Sequence, residues 1–178
     1  TYLRNIVGDS TPDAILRSYV DESPRVVQYL EEKSAVRFEA LEKYCDYYPE
    51  VAGGRPGGRS MECTPLDGRI LGEEFARIRL PHPQSQVMGM FGLTAREAHT
   101  LLANSWASKL LLVKRLLSAA MQYPARRKWG RAPRLTAGNA LIARFRRSLL
   151  DRSIEISLST PVKDLIIEGG RVVGVIAE

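Results

Sequence analysis

The 178-residue sequence has little histidine and little cysteine, with two of each. Cys45 and Cys63 do not form a CxxC pair, and His82 and His99 lie far apart in the sequence. The spacing that a metal site needs is therefore missing, and we expect no bound metal. We also expect both thiols to be free, as is usual in a reducing cytoplasm.

Long apolar runs are missing as well. The most apolar stretch, residues 110–117, is interrupted by Lys114 and Arg115, so we expect no membrane-spanning helix. The sequence starts at Thr1 without the charged and apolar pattern of a signal peptide, and it stops at Glu178 within an apolar pattern. We therefore expect a cytoplasmic protein of which this chain is an internal fragment.

The net charge of +6 makes nucleic acid a partner to consider. Two basic runs carry much of the charge: Arg126, Arg127, Lys128, Arg131 and Arg134, then Arg144, Arg146, Arg147 and Arg152. No helix-turn-helix, zinc-finger or RNP-like aromatic motif accompanies them. We expect no nucleic-acid partner, and a basic nucleic-acid-binding module stays the less favoured alternative.

Two proline pairs predict helix starts in the first part of the chain. Thr11-Pro12 and Ser23-Pro24 each place an N-cap residue before a proline at the first helical position. Over about residues 44–92, glycine, proline and arginine replace the helical periodicity. This composition predicts a long irregular region, and such loops commonly carry function.

A capping box predicts the next helix, with Thr94 as the N-cap and Glu97 at the third helical position. A stripe of apolar residues continues at helical spacing to Met121, and Pro124 is expected to end the helix. We interpret the stripe as a face that packs on a core.

The end of the chain changes from helical to alternating periodicity. A helix is predicted over about residues 140–150, with Leu141, Phe145 and Leu149 inward. The predicted strands are 154–158, 162–167 and 171–176. The glycine pair at 169–170 indicates a hairpin between the last two strands.

These elements predict an α/β fold class in the mixed α+β sense. A mainly helical part with a long loop, of the kind that commonly carries function, is expected over residues 1–135. A helix and a short β-sheet are expected over residues 136–178. The prediction of a sheet rests on the spacing of the apolar residues, which changes near residue 151 from the helical period of about 3.6 to the strand period of about 2.

The irregular region holds two clusters of candidate chemistry. Tyr44, Tyr47 and Tyr48 surround Asp46. A tyrosine acts as a general acid or base where a neighbour lowers its pKa, but amphipathic tyrosines also close the edges of cores, and spacing alone favours the latter. Residues 53–59, GGRPGGR, lack a preceding strand and the GKS/T or GxGxxG spacing, which favours a sharply turned loop over a phosphate site.

Residues 44–50, YCDYYPE, and residues 54–61, GRPGGRSM, resemble the YxDYYP…GxRPGGRxM stretch of 3-ketosteroid Δ1-dehydrogenases. Four further matches follow in the same order: FG at 91–92, EAH at 97–99, YP at 123–124 and RLTAGNAL at 134–141, which is similar to the family's RMTGGQAL. Residues 160–175, which contain GRVVGV, are similar to the strand pair that precedes the family's GGF flavin motif.

The resemblance implies an oxidoreductase that dehydrogenates a 3-ketosteroid and binds FAD in a Rossmann-like domain. Residues 136–178 are implied to be part of that FAD-binding domain, and the long loop of residues 1–135 is implied to border the active site. A proton passes to a tyrosine base and a hydride passes to flavin N5. Tyr48, directly before the proline, matches the catalytic tyrosine that hydrogen-bonds that base, and Tyr47 and Tyr48 are the implied substrate contacts. Val162 is the implied FAD contact, through its backbone.

The family's GxGxxG is expected before Thr1, and its tyrosine base, keto-polarising groups and GG motif after Glu178. We therefore expect the 178-residue chain alone to be inactive, to hold FAD weakly and to self-associate through uncovered apolar surface. Ala137 and Asn139 depart from the family's glycine and glutamine, which leaves the substrate open. The alternatives are a ketosteroid Δ4-dehydrogenase or a fumarate reductase-like flavoprotein.

Overall fold

The computed structural model describes residues 1–178, which form two compact units, Thr1–Ser148 and Leu149–Glu178. The helices are α1 (Tyr2–Val7), α2 (Asp13–Lys33), α3 (Ala95–Leu102), α4 (Trp106–Met121), α5 (Tyr123–Trp129) and α6 (Ala137–Leu150). The strands are β1 (Phe38–Ala40), β2 (Met61–Cys63), β3 (Leu66–Asp67), β4 (Gln86–Val87), β5 (Phe91–Gly92), β6 (Arg134–Leu135), β7 (Val162–Glu168) and β8 (Arg171–Ala177). The predicted mixture of helices and a small amount of sheet is confirmed.

Helix α2 runs without a break through Pro24, so the predicted second helix start at Ser23-Pro24 is wrong. Proline has no backbone N–H, which removes one bond of the helical ladder. The helix continues on both sides of Pro24 despite this loss, and the hydroxyl of Ser23 adds a bond to the carbonyl of Tyr19, one turn earlier. The predicted cap Thr11 is extended, and Pro12 is the N-cap residue.

Strands β1 and β2 pair antiparallel, from Phe38 opposite Cys63 to Ala40 opposite Met61. Residues 41–60 therefore leave this ladder and return to it as one long loop, which we call the tyrosine loop. At its neck, the Leu41 N–H donates to the Ser60 carbonyl at 2.8 Å. The predicted irregular region contains this loop, short strands and 3-10 turns.

The predicted capping box at α3 is confirmed. The Glu97 N–H donates to Thr94 Oγ1 at 3.1 Å, and the Thr94 N–H donates to a Glu97 carboxylate oxygen at 3.0 Å. The helix does not continue to Met121 as predicted, because Asn104 adopts φ 44°, outside the helical range. Ser105 and Ser108 then form a second capping box, which starts α4.

Helix α4 ends before Pro124, as predicted, but the chain re-enters a helix because proline is tolerated in the first turn of α5. The apolar stripe of α4 is exposed, with Trp106 84 % exposed and Leu110, Leu117 and Met121 similarly open. The interpretation of this stripe as a core face is therefore wrong within the described chain.

The first unit has a small core in which Phe75 is completely buried. Its ring lies 5.5 Å from the ring of Trp129. Strand β3, which precedes Phe75 in the sequence, pairs antiparallel with β6, which follows Trp129. Helix α6 buries Ala140 and Ala143 completely, whereas the predicted inward residues of that helix are only half-buried. Small residues on α6 therefore occupy its most buried positions.

In the second unit, β7 and β8 form the predicted hairpin. Gly169 (φ 56°) and Gly170 (φ 77°) fill the two turn positions that require positive φ. The predicted strand at 154–158 is wrong, because those residues pair with no strand and the sheet begins at Val162. The predicted division after residue 135 stays a prediction.

Candidate functional site

The tyrosine loop brings together the aromatic residues that the sequence singled out. The rings of Tyr44 and Tyr47 lie 6.5 Å apart at 80°, and Tyr44 makes a second edge-to-face contact of 6.5 Å with His99 of α3. Tyr48 is 53 % exposed and Tyr47 is 84 % exposed. Both side chains are therefore open to a ligand.

Asp46 holds the two sides of the loop together. Its side chain is 8 % exposed, and one carboxylate oxygen accepts the Arg55 N–H at 2.7 Å and Nη1 of Arg59 at 3.0 Å. Its own N–H donates to the Arg55 carbonyl at 3.0 Å. Arg59 reaches further and donates to the Gly53 carbonyl at 2.7 Å. One aspartate thus fixes a loop that has no strand ladder of its own.

Two positions of the GGRPGGR segment require glycine, because the main chain of another part of the loop lies too close for a side chain. A Cβ on Gly57 would lie 1.8 Å from the carbonyl oxygen of Glu42, and one on Gly54 would lie 2.5 Å from that of Pro49. No side chain fits either position without moving the main chain. This supports the prediction of a sharply turned loop at these residues.

Helix α1 contacts the same loop. The Tyr48 N–H donates to the Tyr2 hydroxyl at 3.2 Å, and Asn5 Nδ2 donates to the Ala52 carbonyl at 2.9 Å. The guanidinium carbon of Arg59 lies 4.9 Å from the centre of the Tyr2 ring. Nothing in the local sequence around Tyr2 indicates these contacts, because the partners are some fifty positions away along the chain.

A pocket of about 530 Å³ opens between the start of the loop and α3. Its lining residues are Leu41, Glu42, Lys43, Tyr44, Arg96, His99, Thr100 and Ala103. The hydrogen bond and charge of Tyr47 raise the pKa of Tyr44 above its ordinary value. This shift is opposite to the lowered pKa that would favour Tyr44 as a general base.

Three of the segments that carried the resemblance meet in one ion-pair cluster. Glu97 of the EAH segment pairs with Arg115 and, at 3.0 Å, with Arg134 of the RLTAGNAL segment. Arg134 also donates to the Gly92 carbonyl of the FG segment at 2.8 Å. Burial lowers the pKa of Arg134, and the carboxylate of Glu97 opposes that shift. The cluster joins α3, α4, β5 and β6, which indicates a structural role.

Val162 begins β7 in the second unit, opposite Ala177, and is 58 % exposed. The structure gathers no group of three or more His, Cys, Asp or Glu side chains that could hold a metal ion. None of the helices is both long and apolar enough to cross a membrane.

Comparison with known proteins gives a family match over residues 1–178, to the FAD binding domain family. A 3-oxosteroid 1-dehydrogenase of Comamonas testosteroni is 33% identical over 99% of this chain and 31% of its own length. A 4-oxocyclohex-2-ene-1-carboxylate 5-dehydrogenase of Sinomonas cyclohexanicum is 28% identical over 93% of this chain and 28% of its own length. The chain thus spans about a third of the relatives it matches.

A solved structure is similar over nearly the whole chain. The crystal structure of 3-ketosteroid Δ1-dehydrogenase from Sterolibacterium denitrificans, in complex with 1,4-androstadiene-3,17-dione, superposes with a TM-score of 0.91. The identity is 33%, and the match covers 99% of this chain and 32% of that one. The resemblance noted in the sequence is confirmed.

Proposed function

The chain belongs to the FAD binding domain family, and we propose that it forms part of an FAD-dependent 3-ketosteroid dehydrogenase. The observation that carries the proposal is the tyrosine loop. It is folded by Asp46 and its arginine partners so that Tyr47 and Tyr48 remain open to a ligand. The high structural similarity to a steroid-bound dehydrogenase supports the same function.

In this proposal, the hydroxyl of Tyr48 hydrogen-bonds a second tyrosine that takes a proton from a ring carbon of the substrate. A phenol that donates a hydrogen bond to a second tyrosine lowers the pKa of that tyrosine, so that it can be present as the phenolate that takes the proton. Tyr47 supplies an aromatic surface for the substrate. FAD, when bound, supplies the hydride acceptor.

Val162 is the FAD contact that we propose within this chain. It is 58 % exposed and lies at the start of a strand in a two-stranded sheet, so one edge of that strand has no partner strand. The GxGxxG sequence that seats a pyrophosphate does not occur in the 178 residues. We propose that residues 136–178 contribute to the FAD-binding part and residues 1–135 border the active site.

Substrate and compartment are part of the proposal. One relative is named for dehydrogenating 4-oxocyclohex-2-ene-1-carboxylate, a ketone with a single ring. A smaller cyclic ketone is therefore the second candidate substrate class. A cytoplasmic location agrees with the two free cysteines. Cys45 is exposed, so its thiol would be open to oxidation in an oxidising compartment. We propose no nucleic-acid partner.

The test uses the complete protein that carries this chain. Its absorbance spectrum reports bound flavin, and turnover of a 3-ketosteroid is compared with turnover of 4-oxocyclohexenecarboxylate. Tyr48→Phe should lower kcat by roughly tenfold or more, a modest share of what acid–base catalysis contributes. The control is Tyr29→Phe, an exposed tyrosine on α2. Unchanged kcat for Tyr48→Phe would remove this role and make Tyr47 the next candidate.

A further inference from the structure

We propose that Tyr2 is a positioning residue for Tyr48, acting through the main chain of the tyrosine loop. This inference rests on the proposed function, because it assumes a catalytic role for Tyr48. Its basis is one long-range contact, in which the Tyr2 hydroxyl accepts the backbone N–H of Tyr48 at 3.2 Å. The partners lie in α1 and in the loop, so the bond ties a helix to the candidate catalytic residue.

The other side of Tyr48 is also held. Its carbonyl accepts the N–H of Val51 at 3.1 Å, in a turn that precedes the glycine-rich segment. With both main-chain groups bonded, the two peptide planes that flank Tyr48 are fixed. These planes set the direction of the Cα–Cβ bond, and so limit where the phenol hydroxyl can lie. A misplacement of about 1 Å at a reacting group can cost about a hundredfold in rate.

Tyr2 is itself held in place by the loop. The guanidinium of Arg59 lies over its ring at 4.9 Å, and Arg59 is anchored by Asp46 and the Gly53 carbonyl. Gly53 has φ +88°, and a Cβ there would lie 3.1 Å from the Tyr2 nitrogen. Asp46, Arg59, Tyr2 and Tyr48 thus form a continuous series of contacts. Only the last of these contacts uses the Tyr2 hydroxyl.

This arrangement allows the hydroxyl to be removed without removing the ring. In Tyr2→Phe the cation–π contact with Arg59 is retained, and only the acceptor for the Tyr48 N–H is lost. Tyr2→Trp also keeps an aromatic face but supplies no acceptor, because indole nitrogen only donates. Both variants should therefore have the same effect, and Tyr29→Phe should have none.

The experiment is a double-mutant cycle of Tyr2→Phe and Tyr48→Phe in the complete FAD-loaded protein. Tyr2→Phe should lower kcat about two- to tenfold, the equivalent of one hydrogen bond, with KM changed less than about twofold. Flavin content should match that of the Tyr29→Phe control, and any fall in Tm should be no larger than the loss of one exposed hydrogen bond produces. In the Tyr48→Phe background, Tyr2→Phe should cause no further fall in kcat.

The outcomes separate this inference from the function it rests on. If Tyr48→Phe lowers kcat but Tyr2→Phe leaves it unchanged, the positioning role is overturned and the catalytic role stands. An equal fall with Tyr2→Phe in both backgrounds also overturns it, because the effect would not pass through the Tyr48 phenol. If Tyr48→Phe has full activity, the proposed role of Tyr48 fails first and the inference fails with it.

Discussion

Replacing Asp46 should destabilise the tyrosine loop, at a cost in free energy of unfolding that can be worked out from its contacts. In Asp46→Ala the Arg55 N–H and Arg59 Nη1 both lose the carboxylate oxygen that they share at 2.7 and 3.0 Å. Hydrogen bonds to charged groups contribute about 1.5–3 kcal/mol each, and bonds to one shared oxygen do not add fully.

Two features of the structure place the expected cost at or just below the lower end of the roughly 3–6 kcal/mol that the two bonds would contribute if they added fully. Arg59 keeps its bond to the Gly53 carbonyl and its contact with the Tyr2 ring. Its side chain is 37% exposed, so water can solvate the charge that Asp46 leaves behind. We therefore expect a loss of about 2–3 kcal/mol in free energy of unfolding for Asp46→Ala. Asp46→Asn keeps one acceptor but loses the charge, and should lose about half as much.

The assay is equilibrium urea unfolding of the complete protein and its variants. Glu50→Ala is the matched control, because Glu50 is an exposed acidic residue of the same loop. Its loss should stay within about 0.5 kcal/mol, as for surface substitutions in general. A loss for Asp46→Ala as small as that of the control would refute the reasoning, since it would mean that the loop is folded by other contacts.

Two further outcomes are expected. A thiol reagent at pH 8 should label Cys45 rapidly and Cys63 only on unfolding, because Cys63 is buried and desolvation raises the pKa of its thiol. Mass spectrometry measures the labelling rate of each cysteine, and equal rates in the native state would contradict this prediction. The purified 178-residue chain should bind FAD weakly and self-associate, since it contains no GxGxxG and exposes the apolar stripe of α4. An FAD titration and the mass in solution test this, and stoichiometric micromolar binding or a strictly monomeric mass would argue against it.

The elements that could be predicted from the sequence are those with a complete local cause. The capping box of Thr94 and Glu97 needs only residues three apart, and it is present as expected. The hairpin turn at Gly169 and Gly170 likewise depends on two adjacent residues that tolerate positive φ. In both cases the residues that make the structure are also the residues that display the pattern.

The errors have non-local causes. An alternating pattern at 154–158 predicts a strand, but a strand also needs a partner ladder, and none pairs with these residues. The pair Ser23-Pro24 fits a helix start by its local pattern, but helix α2 continues through Pro24. The apolar stripe of α4 fits a core face by spacing alone, but spacing does not state which surface covers it.

The motif that identified the tyrosine loop consists largely of residues that fold it. Asp46 and Arg59 are joined by an ion pair, and Gly54 and Gly57 allow main-chain contacts that no side chain permits. These scaffold residues made the resemblance specific, whereas the chemistry proposed for the loop depends on the tyrosines that it presents. Function is carried by a site rather than by its scaffold. Replacing Tyr48 should therefore change the reaction and leave the loop folded, whereas replacing Asp46 should disturb both together.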